Sequence, residues 1–149
     1  MLLGILYLPT VDGRWWIAYL LTVTKITDIG AYFAGSLWGK RKLAPSISPK
    51  KTIEGAVFGL GCAVAASWVF LLASDYVGSF SLGKIEWLVL ALVLGVVGQF
   101  GDLSESLLKR DANKKDSNSL PGLGGILDSI DSILFNATII YIYLYFIKT

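Results

Sequence analysis

The chain has 149 residues, 54% of them hydrophobic and 16% charged, with a formal net charge of +2. Ordinary soluble domains carry nearer a quarter charged residues, so this balance, with a mean hydropathy of +0.64, predicts a membrane protein. The lack of histidine excludes Ser-His-Asp triads, histidine zinc sites and histidine general bases, and a single cysteine, Cys62, excludes an internal disulfide and reads as a packing residue.

The opening "MLLGILYLPTVDGRWW" has no basic n-region and only a short apolar part, so it is not read as a signal peptide. It reads as the tail of a helix that starts upstream, and the chain as a fragment of a longer one. Four stretches then approach the ~20 apolar residues of a spanning helix. They are Trp15 to about Trp38, Ile53 to Leu72, Trp87 to about Phe100, and Ile126 to Ile147. The third reaches spanning length only if Leu82 or the residues after Gly101 join it. Trp15, Trp16, Trp87 and Tyr145 sit near the ends, as interfacial aromatics do. The expected fold is all-α, a polytopic integral membrane helical bundle with about four transmembrane helices. A soluble protein of buried helices is the alternative, but little polar surface remains to cover it.

Charge in the loops supports the spans. The first loop carries Lys40, Arg41, Lys42, Lys50 and Lys51; the second balances Lys84 with acids; the third carries Lys109, Arg110, Lys114 and Lys115. Basic, neutral, basic is the alternation of four spans, and the positive-inside rule puts loops one and three in the cytoplasm. Ala31, Gly35 and Gly39 recur at four-residue spacing, as do Gly55 and Gly59, a pattern that lets membrane helices approach closely.

The polar residues then need uses. Asp28 lies inside an apolar segment, where a carboxylate needs a partner or a polar cavity; Lys25, three residues earlier, is the local partner. In "APSISPKKTIEG", Ser48 followed by Pro49 reads as a helix start. Lys50 and Lys51 at such an end suggest phosphate binding, with topology or attraction to anionic lipid as the plainer reading. "GSLWGKR" is rejected as a Walker A loop, because its glycine spacing is one short and no Ser or Thr follows the lysine. Asp102 closes the third apolar run at the membrane boundary, with Glu105 and Lys109 on the same helical face. In "KKDSNSLPGLGGILDSIDS", glycines stop any helix, and Asp128 and Asp131 fall on one face of the helix that follows. Two acids beside a glycine turn and nearby lysines suit a hard cation such as Mg²⁺ together with substrate phosphates.

"SLLKRDANKKDSNSLPGLGGILDSID" resembles the signature of the phosphatidate cytidylyltransferases. The matching positions are Ser106, Lys109, Arg110, Lys115, Asp116, Pro121, Gly122, Gly124, Gly125, Asp128 and Asp131. "TDIGAYFAG", "SPKKTIEG" and "GQFGDLSES" resemble further blocks of that family in the same order, so the resemblance runs from about Lys25 to the end. Leu123 stands where the family usually has histidine, Ser129 where it has arginine, and the stretch from Asp116 to Pro121 is one residue shorter. Family members are longer, with more N-terminal spans.

The resemblance implies that residues 1–149 are the C-terminal catalytic portion of a membrane enzyme that makes CDP-diacylglycerol and pyrophosphate from CTP and phosphatidic acid. It implies catalytic roles for Asp102, Asp128, Asp131 and Lys109. The three aspartates would hold Mg²⁺, with Asp116 a weaker candidate and a second cation left open. Lys50, Lys51, Lys109, Arg110 and Lys115 would clamp phosphates. Asp28, Ser48, Thr52, Glu105, Ser106, Asp116, Gly122, Gly124 and Gly125 complete the expected substrate-binding set. The expected partners are CTP, phosphatidic acid and membrane lipids, not nucleic acid, with a homodimer left open, and the expected location is the inner (plasma) membrane of a bacterium. The rivals are a CTP-dependent polyprenol or dolichol kinase, a transporter subunit using Lys25 and Asp28, and a non-catalytic membrane scaffold.

Overall fold

The computed structural model describes residues 4–5, 12–74, 83, 85–111 and 124–148, with 109–111, 124–131 and 148 described by backbone alone. Helix α1 is Gly13–Trp38. A hairpin of β1 (Lys42–Ala44) and β2 (Ser48–Thr52) follows, then α2 (Ile53–Ser74), α3 (Glu86–Asp111) and α4 (Gly124–Tyr143), which runs on into a π-helical turn, Leu144–Lys148.

Asp12 caps α1, its side chain accepting from the Arg14 amide at 3.2 Å. The face α1 buries holds Trp16, Tyr19, Leu20, Val23, Thr24 and Thr27, the three-and-four spacing of one helical stripe. Apolar members of that stripe pack with Ala63 and Ala66 of α2, Leu90 and Leu94 of α3, and Ile133, Ala137 and Ile140 of α4. Deep in this core the Tyr19 hydroxyl meets Ser67 Oγ at 2.8 Å, and Ser67 donates to the Trp87 carbonyl at 2.8 Å. One short polar chain thus ties α1, α2 and α3. Outward, Val57, Trp68, Val69, Leu72, Val89 and Leu134 are exposed, an apolar exterior suited to lipid.

Two helices are long and apolar enough to cross a membrane among the described residues, Ile53–Ala73 and Glu86–Leu108. The second settles the short third stretch: residues after Gly101 continue it as helix. Helix α1 is as long, but Lys25 and Asp28 interrupt its apolar sequence. Ser132–Ile147 is a shorter apolar helix. Of the four helices described over Gly13–Tyr143, α2 and α3 meet the criterion by length and composition.

The start expected at Ser48 and Pro49 is corrected. Those residues are extended in β2, with Ser48 paired to Ala44, so the fold is not purely helical. Pro45 explains this: its fixed φ suits the second position of a β-turn, and Ile47 N donates to Ala44 O at 3.1 Å to close it. The helix waits until Ile53. There Thr52, only 4% exposed, caps it by accepting from Gly55 N at 3.2 Å. Glu54 in the first turn accepts from the Lys40 amide at 3.2 Å and the Arg41 amide at 3.2 Å, fastening the chain between α1 and β1 to the start of α2.

Helices α1 and α2 cross where the small residues recur. A Cβ added at Gly55 would lie 2.5 Å from Ala31 O and 3.0 Å from Gly35 Cα; one at Gly59 would lie 2.9 Å from Thr27 O. Backbone lies against backbone there, and only glycine permits it.

Candidate functional site

Beside this crossing, at the hairpin end of the bundle, lies a cavity of about 530 Å³. Volumes of about 300–1,000 Å³ are usual for small-molecule sites. Helix α1 supplies one wall through Asp28, Tyr32 and Ser36, which recur each turn and so share a face. The hairpin supplies Lys42, Lys50 and Lys51, α2 opens with Thr52 at its cap and Ala56, and α3 supplies Gln99 and Asp102.

Five expected site residues therefore meet at one cavity: Asp28, Lys50, Lys51, Thr52 and Asp102. They come from segments far apart in sequence: the hairpin and the later turns of α3 meet at this cavity. The Lys51 Nζ–Asp102 Oδ2 distance is 2.6 Å, with side-chain exposures of 23% and 44%. The same ammonium approaches the Gln99 carbonyl at 3.4 Å. Gln99 in turn donates its side-chain amide to Ala56 O at 3.1 Å, bracing α3 against the start of α2. Lys42 and Lys50 are exposed on the hairpin. Three lysines on one rim suit phosphate groups.

Asp28 marks the other end of the cavity. Its Oδ2 lies 3.9 Å from Lys25 Nζ and accepts from Ser132 Oγ at 3.2 Å. The expected local pair with Lys25 is present, but α4 contributes too. One turn deeper, Asn136 Nδ2 donates to Thr24 Oγ1 at 2.9 Å, so a polar seam joins α1 to α4. Asp128 and Asp131 lie in the first turns of α4. Asp131 immediately precedes Ser132, so the backbone at that acid lies next to the residue that contacts Asp28.

The remaining expected residues fall as follows. Ser48 sits on β2 and does not line the cavity; nor do Glu105 and Ser106 on α3. Ser106 instead donates to the Asp102 carbonyl at 2.9 Å, a bond within its own helix. Lys109 and Arg110 lie in the last turn of α3, and Gly124 and Gly125 open α4, by backbone alone. Lys115, Asp116, Gly122 and Leu123 lie outside the described residues. Tyr32, Ser36, Lys42 and Gln99 are lining residues that the polar-residue reading missed. The i, i+4, i+8 spacing of Asp28, Tyr32 and Ser36 was the available signal; a neutral Gln99 gave none.

Among the described residues no group of three or more acid, cysteine or histidine side chains is placed to hold a metal ion. Asp102 nevertheless offers a half-exposed hard oxygen to the cavity. That fits Mg²⁺, which takes one or two carboxylates and completes its shell with water and substrate phosphate.

Residues 3–147 match the Cytidylyltransferase family. Similar curated proteins include the phosphatidate cytidylyltransferase of Chlamydia pneumoniae, 42% identical over 134 residues that cover 89% of this chain and 43% of that one. That of Bacillus subtilis is 47% identical over 130 residues, 87% of this chain and 47% of its own. That of Staphylococcus aureus (strain COL) is 45% identical over 125 residues, 83% and 46% of the two chains. The chain spans about half the length of the curated relatives it matches, in their C-terminal part. A match that extends over nearly every residue here shows that the chain belongs to the cytidylyltransferase family.

Proposed function

We propose that this chain forms the C-terminal catalytic portion of a phosphatidate cytidylyltransferase, transferring a cytidylyl group from CTP to phosphatidic acid. The observation that carries the reading is the cavity beside the α1–α2 crossing, whose lining brings Lys42, Lys50 and Lys51 together with Asp28 and Asp102. A phosphate oxygen of phosphatidic acid bonds to the α-phosphorus of CTP. The bond from that phosphorus to the bridging oxygen of the β-phosphate breaks, and pyrophosphate leaves. The nucleophile is already anionic, so a chain without histidine needs no general base. Catalysis then rests on alignment and on neutralising charge.

Lys50 and Lys51 hold the triphosphate from the hairpin. Thr52 fixes their distance from α2 through its cap, and Gln99 fixes the distance of α3. Asp28 lines the end nearer the lipid headgroup. Asp102, with Asp128 and Asp131 as the family resemblance implies, would hold Mg²⁺, which spreads the charge of the phosphates when bound. Lys109, Arg110 and Lys115 would add cations from the third loop. The lipid substrate stays in the bilayer of a bacterial plasma membrane, with the basic segments cytoplasmic by the positive-inside rule, so CTP arrives from solution.

The test supplies the complete protein in detergent with phosphatidic acid, Mg²⁺ and CTP labelled separately in the cytidine and the γ-phosphate. Cytidine in lipid with γ-label in pyrophosphate is expected. Label from the γ-phosphate on an added polyprenol, with no cytidine in lipid, would instead make the chain part of a lipid kinase.

A further inference from the structure

Lys51 and Asp102 are assigned to different ligands, yet they hold each other. Their contact is 2.6 Å, and the ammonium directs a second donor toward Gln99 O at 3.4 Å. An ammonium has three donors, so two already point to α3 rather than to a phosphate. We propose that this pair is a clasp opened by phosphate and divalent cation together, so that the two ligands bind the cavity cooperatively. The proposal rests on the function above.

A divalent cation on Oδ2 alone would sit close to the Lys51 ammonium, and like charges at that distance repel. A phosphate that draws Lys51 away alone would leave the Asp102 carboxylate facing an anion. Each ligand by itself therefore leaves one repulsive contact. With both bound, Lys51 meets phosphate, Asp102 meets the cation, and neither contact remains. Such coupling is reciprocal: each ligand tightens the other by the same factor. Both side chains are partly exposed, which weakens the pair, so the factor is set at the low end of the usual range, about five-fold.

The experiment titrates Mn²⁺ into the complete protein by electron paramagnetic resonance, without nucleotide, in wild type and in Lys51→Gln, Lys51→Arg and Lys50→Gln. Lys50→Gln removes the same charge from the same strand but leaves the pair. Lys51→Gln is expected to bind Mn²⁺ about five-fold more tightly than wild type, with Lys51→Arg and Lys50→Gln near wild type. Unchanged affinity in Lys51→Gln, or an equal gain in Lys50→Gln, would overturn the clasp. Retention of labelled CTP by wild type is measured in parallel. Failure there counts against the nucleotide reading, whereas the nucleotide-free Mn²⁺ comparison decides the clasp.

Discussion

Gly55→Ala is the sharpest test of how the cavity is framed. The added Cβ would lie 2.5 Å from Ala31 O, 2.9 Å from Thr52 Oγ1 and 3.0 Å from Gly35 Cα. Two of these neighbours are backbone, so the helices must separate rather than a side chain turn aside. Overpacking of this kind costs about 1–3 kcal/mol. Alanine also gains about 1 kcal/mol of helix propensity over glycine, which would blur a comparison with wild type. Gly61→Ala removes that difficulty. It lies on the same helix, and an added Cβ there meets nothing within 4 Å. The difference between the two variants isolates the packing cost, a ratio of roughly 5- to 150-fold in unfolding equilibrium. Loss of helicity in mixed micelles of mild detergent and dodecyl sulfate measures it on the complete protein. Cytidylyl transfer should fall in Gly55→Ala and persist in Gly61→Ala, since separation at Gly55 moves Thr52 and the hairpin lysines. Equal stability of the two variants would refute the close crossing.

Two further outcomes follow from the same geometry, and a third from the family resemblance. Thr52→Ala should destabilise the protein by about 1 kcal/mol through loss of the cap, with Thr52→Ser close to wild type in the same unfolding assay. Asn136→Ala removes the bond to Thr24 and should cost about 0.6 kcal/mol, at most about 1.7, as hydrogen bonds between membrane helices do; a neutral result would remove the polar seam from the account. Asp128→Asn should abolish cytidylyl transfer while membrane insertion and yield stay normal, and retained activity would end its assigned catalytic role.

The helices were legible because burial in lipid leaves long apolar runs. The first two were expected at Trp15–Trp38 and Ile53–Leu72 and occur at Gly13–Trp38 and Ile53–Ser74. The small-residue spacing was legible as close approach; the structure adds that Gly35 and Gly55 are each other's partners. The hairpin was not legible. Ser48 and Pro49 carry a valid helix-start signal, but pairing of Ser48 with Ala44 outweighs it, and pairing across a turn leaves no periodicity in so short a segment. Of the site, the charged residues announced themselves by their cost in an apolar setting, and Asp28, Lys50, Lys51 and Asp102 do meet. Their pairing was another matter. The local pairing legible on that helix was Glu105 with Lys109, four residues on, whereas the structure gives Asp102 a partner from the hairpin, Lys51. Tertiary proximity of that kind has no local signature, and Gln99, whose role depends on α2 lying beside it, has none either.

The central claim is that the cavity beside the α1–α2 crossing receives the nucleotide. It is tested most directly by cysteine protection in the complete protein carrying Cys62→Ala. Ser36→Cys places a thiol on the cavity wall, and Ser46→Cys places one on the exposed hairpin turn away from it. CTP with Mg²⁺ is expected to slow modification of Ser36→Cys by a water-soluble thiol reagent and to leave Ser46→Cys unchanged. Equal rates at Ser36→Cys with and without CTP, in protein that retains labelled CTP, would place the nucleotide elsewhere and contradict the account.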